Sequence, residues 1–210
     1  MKTSLFTRQS TWVLILLAGL VVIVSFTYNL KRSESGILVL SGYNFGFETV
    51  TYPNGLPDGW CRWGMPSYNI QLDSIVKHSG KYALRVEPKE EPAKQDFGGP
   101  GYSIPAIYEG KSVTVKAFIK FEDVDLPIGL VLRIDDDSNK MLFFDNMMQR
   151  GIKGTRDWTE YSITLPLPEK AKTINIGAFL FGKGKLWVDD FQVLIDNKDI
   201  SKVKLKPGLM

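Results

Sequence analysis

The sequence predicts an all-β domain, a two-sheet antiparallel β-sandwich of the jelly-roll type, preceded by one N-terminal hydrophobic helix. Three observations support this prediction. After residue 36, short runs alternate apolar and polar residues with period two. Glycine and proline clusters separate the runs, and no segment of useful length has a helical period. About eight or nine short strands with turn signals between them are typical of sandwiches and jelly rolls.

The alternation is clearest in four segments, which are Tyr82 to Val86, Val113 to Phe121, Tyr161 to Leu165 and Ile174 to Leu180. Such a period places one face of each strand in the core and the other toward water. The apolar runs Leu130 to Ile134 and Met141 to Phe144 flank the polar stretch DDDSNK and predict a hairpin.

Clusters of proline and glycine predict the turns between these strands. They occur at Pro53–Gly55, Pro57–Gly59, Gly64–Pro66 and Gly98–Gly101. Glycine supplies positive φ values and proline a fixed φ, which are the conformations that turns require.

The two ends of the domain are both strand-like. The early segment Asn44 to Glu48 carries the carboxylate Glu48, and the late segment Phe181 to Ile195 carries the adjacent pair Asp189 and Asp190. We expect these two ends to lie side by side and close the sandwich.

The formal charge of +3 comes from the N-terminal region. Lys2, Arg8, Lys31 and Arg32 precede the first acidic residue, and taking these four from the 26 Lys and Arg leaves 22 against 23 Asp and Glu. A body this close to neutral lacks the basic footprint that nucleic-acid binding requires. The single cysteine, Cys61, excludes an intrachain disulfide and is expected to be a small, partly buried apolar residue.

The N-terminal region predicts a membrane or export signal. A positive leader (1–8) precedes an uncharged segment (9–30) that is long enough to span a bilayer. No Ala-x-Ala cleavage pattern follows, which favours an uncleaved anchor, although a cleaved signal peptide stays open. A linker (31–41), the sandwich (42–196) and a lysine-rich, loosely attached tail (197–210) complete the predicted organisation. In either case we expect the body outside the cytoplasm.

Four motifs, in order, resemble those of jelly-roll carbohydrate-binding modules: N-x-G-F-E at Asn44–Glu48, P-D-G-W at Pro57–Trp60, H-S-G-K-Y-A-L at His78–Leu84 and W-V-D-D at Trp187–Asp190. From Ile104 to Ile195 the sequence is also similar to a domain that precedes the catalytic domain of some bacterial tail-specific-type serine peptidases. No protease domain follows here, so the resemblance implies nothing about proteolysis.

The resemblance to jelly-roll modules implies one structural calcium ion where the first and last strands meet. Glu48 and Asp190 would be side-chain ligands, with the backbone carbonyl of Lys81 nearby. Calcium prefers several oxygen donors of this kind, and a cation relieves repulsion between close carboxylates. The alternative is that Asp189 and Asp190 face solvent or cap a turn.

Sugar binding needs an aromatic platform and polar groups that bind hydroxyls. Trp63 is the aromatic candidate, because it lies in a predicted loop beside Arg62 and Gly64. The polar candidates are Arg133, Asp145, Asn146, Gln149 and Arg150. The alternative for this polar set is a hydrogen-bonded loop network that only orders the sandwich.

These features predict a non-catalytic extracytoplasmic module that binds carbohydrate or another cell-envelope polymer. A protein–protein accessory module that docks an envelope partner, such as a peptidase, is the alternative. An enzyme is a third possibility. The only histidine, His78, has no nucleophile elbow to accompany it, and no carboxylate pair can be nominated for glycoside hydrolysis. We expect no cofactor other than calcium.

Overall fold

The computed structural model describes residues 30–32, 38–40, 42–52, 55–93 and 95–207. The chain divides into two units, residues 1–42 and 43–210. In the first, β1 (Leu30–Arg32) pairs antiparallel with β2 (Leu38–Leu40), within the stretch predicted as the end of the hydrophobic segment and the linker. The predicted leader and the hydrophobic segment up to residue 29 lie outside the described residues. Within the described ranges, no helix is long and apolar enough to cross a membrane.

The second unit is a two-sheet antiparallel sandwich, which confirms the predicted fold class. Its strands are β3 (Cys61–Gly64), β4 (Tyr68–Asp73), β5 (Ala83–Pro88), β6 (Phe97–Pro105), β7 (Ser112–Val124), β8 (Gly129–Asp135), β9 (Met141–Asp145), β10 (Gly154–Pro166), β11 (Thr173–Phe181), β12 (Lys185–Ile195) and β13 (Lys198–Asp199). Two short 3-10 helices, η1 (Met148–Arg150) and η2 (Ile200–Lys202), follow β9 and β13.

One sheet has six strands in the order β10-β7-β12-β5-β4, with β13 paired to β12. The other has five strands in the order β3-β6-β11-β8-β9. Their inward faces form the core, as the period-two alternation predicts. Fully buried members include Val113, Val115, Ala117, Ile119, Leu130, Leu132, Ile134, Ile174, Ile176 and Leu180.

The predicted hairpin is present. β8 pairs antiparallel with β9, and the turn between them is closed by the Asp136 side chain. Its carboxylate oxygen Oδ1 accepts hydrogen bonds from the backbone N–H groups of Ser138 (3.0 Å) and Lys140 (2.9 Å).

The prediction that the domain ends meet is also confirmed, but the early segment is not a strand. Residues 45–47 form a turn in which Phe47 has φ 63°, and the Phe47 ring is fully buried against Trp60 and Phe191. Burial of the ring stabilises the left-handed backbone conformation at Phe47, which a residue in a paired strand does not adopt. The Phe191 N–H donates to the Phe45 carbonyl at 3.0 Å and joins the two ends.

Two further expectations are wrong. The stretch Gly98–Gly101 lies inside β6 rather than in a turn, because its glycines allow other groups to approach the strand closely. The sole cysteine, Cys61, is exposed on the edge strand β3 rather than partly buried.

The segment after Asp196 packs against the sandwich instead of hanging loosely. β13 pairs with β12, and the side chains of Ile200 and Val203 are 3% and 8% exposed. Backbone hydrogen bonds also join Glu109 to Lys204 and Lys206 to Ile107. Lys198, Lys202 and Lys204 are exposed to solvent while the apolar residues between them enter the core, so the lysine content of the segment does not predict loose attachment.

Candidate ligand-binding groove

The outward face of the five-stranded sheet carries a groove of about 670 Å³. Its aromatic lining residues are Trp63, Phe97, Phe144, Phe179 and Phe181. Its polar lining residues are Arg62, Arg133, Asn146 and Asn175. The five strands supply all of these residues except Asn146, which directly follows β9. An aromatic groove with a few polar groups is the usual form of a small-ligand site.

Glycines form the floor of this groove and allow Trp63 to lie on the sheet. A Cβ atom added to Gly101 would stand 1.9 Å from Trp63 Cε2, and one added to Gly177 would stand 2.8 Å from Trp63 Cζ3. The indole of Trp63 therefore extends from the edge strand β3 over β6 and β11, where larger residues would displace it. The glycine-rich sequence thus positions the aromatic platform.

One wall of the groove is a phenylalanine cluster. The ring centroids of Phe97 and Phe181 are 5.2 Å apart, and those of Phe179 and Phe181 are 5.0 Å apart in an edge-to-face arrangement. Aromatic pairs at these separations stabilise one another, so the wall is a preformed surface.

The opposite wall is a row of two polar residues and one phenylalanine that crosses three strands. Asn175, Arg133 and Phe144 are neighbours in register on β11, β8 and β9. The Asp135 carboxylate, on a residue only 4% exposed, accepts hydrogen bonds from Arg133 Nε and from Asn175 Nδ2, both at 2.8 Å. Asp135 thereby fixes the orientation of two polar groups that line the groove.

The structure brings together half of the residues nominated from the sequence. Trp63, Arg133 and Asn146 line the groove. Asp145 and Arg150 instead bind each other, with 2.8 Å between Asp145 Oδ2 and Arg150 Nη2, and Arg150 Nη1 donates to the Ser162 carbonyl. Gln149 is exposed on η1. Asp145 and Arg150 therefore match the alternative of a hydrogen-bonded loop network around η1, and Gln149 belongs to neither the groove nor this network.

Sequence reasoning missed six aromatic or polar lining residues, namely Arg62, Phe97, Phe144, Asn175, Phe179 and Phe181. The signal that could have found Asn175 was the strand alternation, because Ile174 and Ile176 point inward and leave Asn175 outward. The same alternation leaves Phe179 and Phe181 outward, because Ala178 and Leu180 are also inward positions. Phe97 and Phe144 lacked such a signal, since an apolar residue at a strand position is normally assigned to the core.

The residues predicted to hold calcium meet at the turn formed by residues 78–82. Glu48 Oε1 accepts the backbone N–H of Lys81 at 2.8 Å. Asp190 Oδ2 lies 2.7 Å from His78 Nδ1, and Asp190 Oδ1 accepts the Ser79 hydroxyl at 2.8 Å. Two carboxylates from opposite ends of the domain therefore converge on one turn.

This arrangement fits a cation only with help from backbone oxygens. In the described part of the chain, no group of three or more His, Cys, Asp or Glu side chains is placed to share a metal. Glu48 and Asp190 supply hard oxygen donors, and a calcium ion would draw its remaining ligands from carbonyls such as that of Lys81.

Asp189 has a structural part in the same region and does not face solvent. Its side chain is fully buried, and its Oδ2 accepts the N–H groups of His78 (2.9 Å) and Ser79 (3.1 Å). Burial raises the pKa of Asp189 to about 6, although these N–H donors act in the opposite direction. Asp189 thus anchors the turn from a β-bulge, since the register of β12 against β7 shifts between Asp189 and Gln192.

A second cavity of about 470 Å³ lies beside β4, β5 and β12 of the six-stranded sheet. Its tryptophan, Trp187, is only 3% exposed and donates from Nε1 to Asp73 Oδ2 at 2.9 Å. Arg85 pairs with Asp73 and Glu87. This cavity therefore offers paired charges and a buried indole, whereas the groove offers an accessible aromatic platform.

No family model matches the chain. A segment of 82 residues is 39% identical to an uncharacterized HTH-type transcriptional regulator, YbfP of Bacillus subtilis (strain 168). The match covers 39% of this chain and 28% of that protein, so the chain spans less than a third of this curated relative.

Several solved structures share the fold at 12–14% sequence identity. The arabinose-bound α-L-arabinofuranosidase MgGH51 aligns with a TM-score of 0.56 over 82% of this chain and 29% of that one. The enzymatically active domain of tailspike protein 4 from bacteriophage CBA120 aligns with 0.53 over 74% and 21%. The C-terminal family 22 carbohydrate binding module of Clostridium thermocellum Xyn10B aligns with 0.51 over 81% and 99%.

At these identities the comparisons show a common fold. The match covers nearly the whole length of the carbohydrate-binding module. It covers less than a third of the arabinofuranosidase chain and of the tailspike chain. The resemblance to jelly-roll binding modules is therefore confirmed for the fold, while the resemblance to a peptidase N-terminal domain stays a prediction.

Proposed function

We propose that this chain is a non-catalytic module that binds carbohydrate or another cell-envelope polymer through the groove on its five-stranded sheet. The observation that supports the proposal most is Trp63, which lies on a glycine floor with phenylalanines on one side and amides on the other. Aromatic rings pack against the C–H face of a sugar, and amide side chains donate to and accept from hydroxyls.

Two further features support this function. The fold is shared with a family 22 carbohydrate binding module along nearly the whole of that module. Among the residues that the structure describes, the groove lining includes no Asp or Glu, whereas glycoside hydrolysis uses a pair of carboxyl groups on either side of the scissile bond. Binding without catalysis fits this lining better than hydrolysis does.

The proposed location is the outer side of a membrane. It depends on the uncharged segment at residues 9–30, which would serve as an uncleaved anchor behind a positive leader, or as an export signal if it is cleaved.

We further propose that one structural calcium ion joins the two ends of the domain. Glu48 and Asp190 would hold it, with the Lys81 carbonyl completing part of the shell. A bound cation would neutralise two carboxylates that converge on one turn.

Docking of an envelope protein, such as a peptidase, is the second candidate function. The edge strand β9 exposes Met141 (52%) and Phe143 (38%), and β9 pairs only with β8 in its sheet. Exposed apolar groups on an open strand edge are suited to a protein partner.

Affinity electrophoresis in gels that contain single polysaccharides tests the binding function. We expect at least one glycan polymer to retard the full chain, and Trp63→Ala to abolish the retardation because the stacking surface is lost. Tyr52→Ala is the matched control, since Tyr52 is 75% exposed and does not line the groove.

Equal retardation of the Trp63→Ala and Tyr52→Ala variants would reject the groove as the binding site. Cross-linking in the native membrane distinguishes the second candidate. If the chain is a docking module, Phe143→Ser should lose the cross-linked protein partner and Trp63→Ala should keep it. If the chain is a glycan module, no protein partner should depend on Phe143.

A further inference from the structure

The hydrogen-bonding capacity of the groove indicates which glycan it selects. Its polar side chains use most of their acceptor atoms on one another and present N–H donors to a ligand. We propose that the groove takes an acetylated glycan, in which a sugar ring packs on Trp63 and an acetyl carbonyl accepts hydrogen bonds from Arg133 and Asn175. This inference rests on the proposed function and specifies its ligand class.

Asn175 is held so that part of its amide nitrogen is left for a ligand. Its Oδ1 accepts the Ser103 hydroxyl at 2.6 Å, and its Nδ2 donates to Asp135 Oδ2 at 2.8 Å. The carboxylate partner fixes which end of the amide is the nitrogen, because a carboxylate accepts and does not donate. The second N–H group of Nδ2 therefore remains for a ligand in the groove.

Arg133 supplies further donors, and its charge is already neutralised. Its Nε donates to Asp135 Oδ1 at 2.8 Å, and its Nη2 lies 3.4 Å from the Asn139 carbonyl, which is long for a hydrogen bond. Within the described part of the chain its Nη1 has no hydrogen-bond partner, and 42% of the side chain is exposed. The row thus offers N–H groups to a ligand without a net positive charge.

Asn146 adds donors just beyond the end of β9. Its Oδ1 accepts the Met148 N–H at 3.2 Å, so its Nδ2 group is left for the groove that it lines. The carboxylate of Asp135, on a residue only 4% exposed, has both oxygens occupied. Among the polar side chains that line the groove, spare N–H groups therefore outnumber spare oxygens.

This imbalance favours a carbonyl over a hydroxyl as the ligand group. A carbonyl oxygen only accepts hydrogen bonds, and the wall can supply every bond that it needs. A hydroxyl also brings an O–H donor, which weakens binding if it loses water without finding an acceptor. A carboxylate would accept as well, but the row has no net charge to offset the removal of an anion from water. A neutral acyl carbonyl thus fits best.

The spacing between the aromatic platform and the row fits one acetyl substituent. The Trp63 indole lies over Gly177, and Asn175 is two residues away on β11, about 7 Å along the strand. An acetyl group and one hydrogen bond of about 2.9 Å bridge this separation from a sugar ring on the indole. Phe144, which is in register with Arg133 and 46% exposed, offers an apolar surface to the acetyl methyl group.

Calorimetric titration of the full chain in mild detergent tests this with tetra-N-acetylchitotetraose and cellotetraose. Both are neutral β-1,4-linked tetrasaccharides, and they differ in carrying an acetamido group or a hydroxyl on each ring. We expect the acetylated ligand to bind about tenfold more tightly, which is the effect of roughly one net hydrogen bond.

Acetylated xylan and the same polymer after its esters are removed with mild alkali form a second pair, compared by affinity electrophoresis. Retardation of the chain should fall on deacetylation. A preference for the acetylated member of either pair supports the proposal, and the pair that responds shows whether the groove reads an amide or an ester carbonyl.

Asn146→Asp assigns the effect to the donors of the groove. It keeps the acceptor for the Met148 N–H and replaces the remaining NH2 group by an oxygen, so the ratio of the two tetrasaccharide affinities should fall toward unity. Asn175→Ala, which leaves the ion pair of Arg133 intact, should lower the ratio in the same way. Asn197→Asp, in the exposed turn between β12 and β13, adds the same charge away from the groove and should keep the ratio.

Equal or tighter binding of the unacetylated member in both pairs overturns the acetyl preference and leaves the proposed function standing. The same conclusion follows if both pairs fail to bind while another polysaccharide retards the wild type and not Trp63→Ala. A ratio unchanged in both Asn146→Asp and Asn175→Ala overturns the role of these donors, and tighter binding of tetragalacturonate shows that a charged carboxylate is preferred. If no polysaccharide retards the chain at all, the proposed function itself fails.

Discussion

Tyr68 shows how one buried residue supports the groove from below. It opens β4 of the six-stranded sheet and is only 2% exposed. Its hydroxyl lies 2.9 Å from the Gly182 carbonyl and 3.1 Å from the Asp96 carbonyl. These carbonyls adjoin Phe181 and Phe97, so the hydroxyl ties down the two strand ends that carry the phenylalanine wall.

Tyr68→Phe should lower the free energy of unfolding by about 1 kcal/mol at neutral pH, since it removes the single O–H donor that the Gly182 and Asp96 carbonyls share. Burial, with the nearby Asp96 charge, raises the pKa of Tyr68 from 10.0 to about 12. A raised pKa stabilises the fold fully below the unfolded value and loses that contribution as pH rises toward 12. The wild-type advantage should therefore be constant up to pH of about 9 and shrink by about pH 11.

Urea unfolding of both proteins at the two pH values measures this difference. A gap that stayed the same, or widened, at the alkaline pH would contradict a buried, protonated Tyr68.

At the scale of elements, the C-terminal segment contributes to the core although its composition predicts a loose tail. Ile200 on η2 is 3% exposed, and the Asp199 side chain caps η2 by accepting the Ser201 N–H at 2.9 Å. Burial of the isoleucine side chain stabilises the fold, and the nearby exposed lysines oppose this little because their charges stay in water.

Ile200→Ala should therefore destabilise the sandwich by about 2 kcal/mol, through lost burial and the cavity that remains. Lys198→Ala, two residues earlier and exposed, should change stability by less than about 0.5 kcal/mol. Denaturant unfolding compares the two variants. Indistinguishable midpoints would mean that the segment is attached as loosely as its composition indicates.

At the scale of the whole molecule, the two ends of the sandwich meet at a few contacts that include several carboxylates. Phe45 bonds to Phe191 through the backbone, and Glu48, Asp189 and Asp190 all bind the turn at residues 78–82. Hydrogen bonds from the turn already satisfy part of this charge, and the proposed calcium ion would neutralise the rest.

If that ion is present, chelation should lower the melting temperature by about 3 to 10 °C, since it removes a ligand that binds only the folded state. Glu48→Gln and Asp190→Asn should lose this sensitivity to the chelator. Asp137→Asn, in the exposed β8–β9 turn, should keep it. A purified protein that holds no metal and shows no shift with chelator would refute the calcium site.

The sequence by itself determined the fold class, because period-two alternation decides which face of a strand is buried wherever the strand pairs. It also placed the two ends together and nominated Trp63, Arg133 and Asn146 at what proved to be one groove. It could not show that Gly98–Gly101 lies in a strand, since glycines that allow a turn also allow an indole to lie on a sheet.

Only the tertiary structure decided which side chains line the groove. The register of β11, β8 and β9 brings Asn175, Arg133 and Phe144 into one row, and β3 places the Trp63 indole over β6 and β11. Strand pairing between segments far apart in the chain sets these neighbours, and local sequence patterns carry no information about that register. The chemistry of the groove lining therefore follows from that pairing.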